Sequence, residues 1–209
     1  MRKTVFAVAV LALVLTAGVS AEPSLVGYTG LLNVPTAEVL SENAYNLGIS
    51  SSEVNDWDDR GYMGNIGFQG GLEAGFYVIR PDEGPGETFL NAKHQFQAPE
   101  PGRASVAVGI SDLTDEIDTS VYVVGSKPLQ RQILGTSMTL HGGFGGGWID
   151  GLFLGIEAEI NPSFSVIAEH INDDASVGAR WQMWENFVVD GGYIQTDEWA
   201  VNVSYNYPQ

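Results

Sequence analysis

From Ala44 to Tyr207 the chain is a series of short segments of alternating polarity cut by turns, and no stretch among them is apolar over a helix length. The last segment shows the pattern. Trp199, Val201, Val203, Tyr205 and Tyr207 share one face, and Ala200, Asn202, Ser204 and Asn206 share the other. Side chains alternate across a strand, so such a segment has one apolar and one small, polar face. One strand of this kind also fits a half-buried strand of a soluble sandwich. About a dozen in series, behind an export signal, point to a transmembrane β-barrel with its apolar face to lipid and its polar face to a lumen.

The export signal occupies residues 1–21. Arg2 and Lys3 form a basic start, Val5 to Leu15 an apolar core, and Val19-Ser20-Ala21 a small-residue cleavage site before Glu22. Cysteine is absent, so neither a lipoprotein anchor nor a disulfide is available. The mature chain of about 188 residues is long enough for one domain. No later segment reaches the ~18 apolar residues of a spanning helix, so membrane residence requires a closed barrel with every backbone group paired. Cleavage leaves seven basic residues against 26 acidic ones, a net charge of about −19. That excludes nucleic acid as a partner and disfavours docking on anionic lipid.

Strands are expected at 44–53, 62–69, 72–80, 88–97, 103–111, 118–126, 135–143, 149–160, 163–171, 174–183, 186–194 and 197–207. Turn residues separate them, as at Gly70-Gly71, Pro81–Gly86, Pro99–Gly102, Asn161-Pro162 and Asn172–Asp174. Most joins are short, which makes neighbours antiparallel hairpins. The longer joins, Glu53–Gly61, Pro81–Glu87, Leu113–Ile117 and Lys127–Leu134, are expected to gather at one rim. The expected fold is therefore all-β: a single up-and-down antiparallel transmembrane barrel of about 12 strands over 44–209. Residues 22–43 precede it as a separate segment. There Pro35 followed by Thr36–Leu40 reads as a short helical turn, tucked into or against the barrel mouth.

Parity within the strands assigns faces. Leu152, Leu154, Ile156, Ala158 and Ile160 oppose Phe153, Gly155, Glu157 and Glu159, while Ala175, Val177, Ala179, Trp181 and Met183 oppose Ser176, Gly178, Arg180, Gln182 and Trp184. Glu157, Glu159 and Arg180 are thus candidate lumen-facing charges, in a lumen of mostly small and polar side chains. The tryptophans Trp57, Trp148, Trp181, Trp184 and Trp199 fall at strand ends, where aromatic girdles meet the bilayer interfaces.

Motifs for chemistry are weak. His94, His141 and His170 lie on separate strands without a partner at metal-ligand spacing, and read as ordinary strand residues. The run Gly142–Gly147 lacks a following Lys and reads as a flexible hairpin. Asp56-Trp57-Asp58-Asp59, and Asp112 with Asp115, Glu116 and Asp118, read as solvated acidic loops, since neither matches a calcium loop. Ser137, Thr139 and His141 share a strand face, the weak basis for a barrel enzyme. No catalytic, cofactor or metal residue is assigned.

Gly30-Leu31-Leu32-Asn33-Val34-Pro35-Thr36-Ala37, followed by Asn46-Leu47-Gly48-Ile49-Ser50, resembles the N-terminal signature of YjbH-like proteins. Gly30, Leu31, Pro35, Thr36 and Ala37 carry the resemblance, which covers about 25 residues. It implies a bacterial outer-membrane β-barrel, non-enzymatic, linked to production or export of exopolysaccharide, in a short single-unit form. The implied partners are outer-membrane lipid, the barrel-assembly machinery, and exopolysaccharide or secretion components. Tyr205 and Tyr207, aromatic-x-aromatic on the last strand, resemble the assembly signal of such barrels. The alternative is a soluble secreted β-sandwich binding module, for example for carbohydrate.

Overall fold

The computed structural model describes residues 21–54, 57–81, 84–100, 102–129, 132, 135–194 and 198–208. The expected export signal, up to Ser20, and Asp56 of the first acidic cluster lie outside the described residues, as do the side chains of Trp57, Asp58 and Asp59. The strands are β1 (Tyr45–Val54), β2 (Trp57–Phe68), β3 (Leu72–Pro81), β4 (Glu87–Gln97), β5 (Ser105–Ser111), β6 (Ser120–Pro128), β7 (Ser137–Gly146), β8 (Gly151–Asn161), β9 (Phe164–Ile171), β10 (Asp174–Trp184), β11 (Phe187–Ile194) and β12 (Glu198–Tyr207). Each pairs antiparallel with its chain neighbours, and β12 returns to β1 through pairs such as Tyr45 with Tyr207 and Ile49 with Val203. The sheet closes on itself and leaves no edge, which rules out the two-sheet sandwich.

The wall is inverted relative to a soluble barrel. Leu47, Ile49, Leu90, Val108, Val123, Leu140, Leu152, Leu154, Val166 and Val177 point outward and are exposed. Asn202, Ser204 and Asn206 on β12, Ser176 on β10 and Ser126 on β6 point inward and are buried. An apolar outer wall of this extent suits acyl chains and not water. The parity expected from sequence holds for most strands and fails at Trp184, expected inward and 65% exposed. The β10–β11 register shifts between Gln182 and Trp184, and a bulge of one residue moves the next side chain to the other face.

Three other expectations are corrected. Residues 53–61 are not a long join: β1 and β2 pair as far as Val54 with Trp57, so their polar residues extend the ladder. Long connections do not gather at one rim. The connection 112–119 lies at the rim away from the barrel ends, and 129–136 lies at the rim where β1 begins and β12 ends, the terminal rim. Finally, Gly142 to Gly146 is part of β7 and not a loop. A Cβ on Gly143 would strike the Phe153 ring from β8, so glycine there makes room for an inward aromatic.

The aromatics divide between two environments. At the terminal rim Trp184 meets Phe187 edge-on at 5.8 Å, Phe187 meets Tyr205 at 5.2 Å, and Tyr45 meets Tyr207 at 5.4 Å. That cluster is an interfacial girdle. Trp148, expected in a girdle, instead lies against the interior, 6.3 Å from Tyr28 and stacked on it.

Candidate functional site

The lumen is filled. Residues 21–44, ahead of β1, run inside the barrel and not merely against its mouth. Tyr28, Leu31, Leu32, Val34 and Ala37 are each at most 1% exposed. They pack on Tyr122, Val124, Phe153 and Ile167 from the wall and on Ile149 of the β7–β8 connection, so the interior is an apolar core as well as the small, polar lining expected. No helix occurs among the described residues, and the turn expected at Pro35–Leu40 is absent. The segment folds on itself through bridges between Pro23 and Thr29 and between Gly30 and Pro35. The amides of Ala37 and Leu40 bond to the wall instead of to carbonyls four residues back. Wall side chains supply the partners that a helix would have supplied.

Inward charges clamp this stopper. Glu169 of β9 accepts the consecutive amides of Leu32, Asn33 and Val34 at 3.1, 2.7 and 3.1 Å. Successive N–H groups converging on one carboxylate form an anion nest, here made by the stopper and filled by the wall. Arg180 of β10 donates to the Gly30 carbonyl at 3.0 Å, pairs with Asp190 of β11 at 2.6 Å, and lies 3.7 Å from Glu157 of β8. Glu73 of β3 accepts from the Thr29 hydroxyl at 2.7 Å and the Leu40 amide at 2.9 Å. Lys93 of β4, 3.9 Å from Glu73, donates to the carbonyls of Thr29 and Thr36 at 2.9 and 3.0 Å, and to the Thr29 hydroxyl. Buried charges are tolerated when paired or fully hydrogen-bonded: Arg180, Asp190, Glu73 and Lys93 are paired, and Glu169 is held by its three amides.

The residues of the sequence motif all lie in this clamp. Gly30 presents its carbonyl to Arg180. Leu31 sits over Gly155 of β8, where a Cβ would strike its Cδ1. Pro35 bridges Gly30. Thr36 offers its carbonyl to Lys93, and Ala37 donates its amide to the Ser126 hydroxyl at 2.8 Å and accepts from Gln95 at 2.7 Å. Of the charges named from sequence, Arg180 and Glu157 meet directly, whereas Glu159 lies farther along β8. Tyr205 and Tyr207 lie on β12 in the girdle. Sequence reasoning missed Glu73, Lys93, Glu169 and Asp190. Their signal was parity: each shares a strand face with residues such as Gly75, Asn91, Ile167 and Val188, which also face inward. Glu73, Glu157, Glu159, Glu169 and Asp190 thus face the lumen against Lys93 and Arg180, so this part of the inner wall is acidic.

His141 is more than an ordinary strand residue. Its Nδ1 lies 2.8 Å from the Ser126 hydroxyl and 3.9 Å from Glu38 of the stopper, and Ser105 donates to Glu38 at 2.9 Å. A nucleophilic relay needs serine and acid on opposite ring nitrogens. Here both face Nδ1, and the serine oxygen already receives the Ala37 amide, so the arrangement fastens the stopper. Thr139 is buried beside it, and Ser137 is only half-buried. His94 bonds the Gly70 carbonyl at 3.1 Å on the outer face, and His170 is exposed.

The second acidic cluster is not simply solvated. Asp112 is fully buried, and its carboxylate accepts the amides of Glu116, Ile117 and Asp118 and the Thr114 hydroxyl at 2.8–3.2 Å. It organises the 112–119 connection. Burial pushes its carboxyl up, but these hydrogen bonds outweigh burial and hold the group below the ordinary carboxylate range.

No protein-family model matches the chain, and no curated protein matches it in sequence. Solved structures do match in fold. A KdgM porin superposes with a TM-score of 0.55 at 13% identity, covering 77% of this chain and 98% of the porin. The KdgM porin in complex with disordered oligogalacturonate gives 0.53 at 13% identity, over 79% and 99%. An outer membrane channel from Pseudomonas putida F1 gives 0.40 at 10% identity, over 82% and 98%. The chain has the closed fold and the lipid-facing wall of an outer-membrane β-barrel.

Proposed function

We propose that this protein is a non-enzymatic outer-membrane barrel, stoppered by its own N-terminal segment, that serves production or export of an exopolysaccharide as a short YjbH-like protein. One observation carries the reading. The residues that resemble the YjbH-like signature, Gly30, Leu31, Pro35, Thr36 and Ala37, are the ones that engage the wall in the lumen. A motif of that kind on a solvated tail would have no physical reason for its glycine and proline. The saccharide in the KdgM complex is consistent with barrels of this size meeting glycans. With its lumen filled, the barrel assists a secretion assembly and is not an open conduit. The girdle residues Tyr205 and Tyr207, on the closing strand β12, are the part of the chain that the barrel-assembly machinery would engage.

The test is done in cells. Outer membranes are run unheated and boiled on a detergent gel, and surface polysaccharide is quantified in a deletion strain. A heat-modifiable outer-membrane band together with polysaccharide loss on deletion, restored by the wild-type gene, is the expected result. An outer-membrane band with unchanged polysaccharide would overturn the glycan role. A soluble periplasmic protein would overturn the whole reading.

A further inference from the structure

Both ends of the stopper lie at one rim. Glu22 is held by Asn206 at 2.6 Å, near the last residue of β12, and the segment rejoins the wall at Ala44, just before β1. Between them it reaches the far end of the lumen, where Tyr28 stacks on Trp148. A loop whose two ends share a rim can withdraw as one body without threading the barrel. At its exit point Ser41, Glu42 and Asn43 are exposed, and Asn43 turns the chain with a left-handed φ of 65°.

The clamp binds main-chain groups. Carboxylates receive N–H and O–H donors, and cations donate to carbonyls, beside the aromatic faces of Tyr122 and Phe153. Hydroxyl and acetamido groups of sugars offer the same donors and acceptors, and ring faces stack on aromatics. The charge of the lining decides among saccharides. The inward carboxylates Glu73, Glu157, Glu159, Glu169 and Asp190, set against Lys93 and Arg180, repel a chain that carries a carboxylate on each sugar, and a narrow pore lined with one sign of charge focuses that repulsion.

We infer that residues 21–44 are a displaceable stopper, and that the lining they cover around Glu73, Lys93, Glu169 and Arg180 is a binding surface for a neutral or amino-sugar glycan chain that rejects polyuronates. This rests on the barrel reading above and names its substrate class.

The experiment uses the full mature protein, refolded, in planar lipid bilayers. The absence of native cysteine allows a clean lock, Ala37→Cys with Ser126→Cys, closed by oxidation and opened by reductant. Glu169→Gln loosens the anion nest, and Gly155→Leu displaces Leu31 as an independent route. The locked protein is expected to be silent, with reductant restoring opening to at least the wild-type level, since Ser126→Cys also removes the hydroxyl that accepts the Ala37 amide. Each loosened variant should spend at least five-fold more time open than wild type, with cation-selective current in a KCl gradient. Maltohexaose and a chitosan oligosaccharide should block that current, and oligogalacturonate should not. Silence of both loosened variants and of the reduced lock would overturn displacement. Anion selectivity, or block by oligogalacturonate, would overturn the substrate class. Either failure, with a heat-modifiable band still in outer membranes, leaves the barrel reading standing, so the two are distinguishable.

Discussion

The outer wall and the stopper solve opposite problems with the same backbone. Strands β1–β12 satisfy every neighbour through ladder hydrogen bonds, so their side chains need only match lipid outside and fit the lumen inside. Residues 21–44 have almost no ladder. Beside a few backbone bonds within the segment, their amides and carbonyls are satisfied by Glu73, Lys93, Glu169, Arg180, Ser126 and Gln95, brought from five different strands. The wall is therefore tolerant of exchange among apolar residues, whereas the stopper depends on individual side chains. Regular secondary structure disperses the hydrogen-bonding load, and irregular buried chain concentrates it.

The sharpest way to break this contrast is at Arg180. Arg180→Ala leaves Asp190 and Glu157 buried without their counter-charge and the Gly30 carbonyl without its donor. It is expected to cost about 3–5 kcal/mol, read as a fall in the urea midpoint of the heat-modifiable band. An unchanged midpoint would show that the clamp contributes nothing to holding the fold. The wall offers the complementary break. Leu140 faces outward near the middle of β7, and Leu140→Arg should cost about 2–4 kcal/mol in bilayers, while Leu140→Ile or Leu140→Val should be nearly neutral. If Leu140→Arg is harmless in lipid vesicles, that face does not meet acyl chains.

The smallest effect belongs to the 112–119 connection, outside both regions. Asp112 titrates below its unfolded value of about 4, so the order it gives is full above that pH and is lost as the pH falls through the lower folded value. NMR amide shifts of Glu116, Ile117 and Asp118 in micelles should move together at that point. Asp112→Asn should already show the shifted positions at neutral pH, at a cost of about 1 kcal/mol. Independent movement of the three amides would show that Asp112 does not organise the loop.

The sequence by itself determined the wall. Period-two alternation is a property of consecutive residues, so Leu152–Phe153–Leu154 or Val201–Asn202–Val203 declares both strand and facing without knowledge of any partner. Where alternation was broken by a bulge, as at Trp184, the reading failed, because a bulge is defined by the partner strand. The stopper was legible only as a segment unlike the rest. Its proline and threonine read as a helical turn because helix signals are local, and the groups that defeat the helix, Glu73 and Ser126, lie 33 and 89 positions away. The pairing of Glu169 with Leu32–Val34, and of Arg180 with Asp190 and Gly30, was likewise decided only by closure of the barrel. Closure brings twelve strands round one short segment, and no local pattern records which inward charge will face which backbone group.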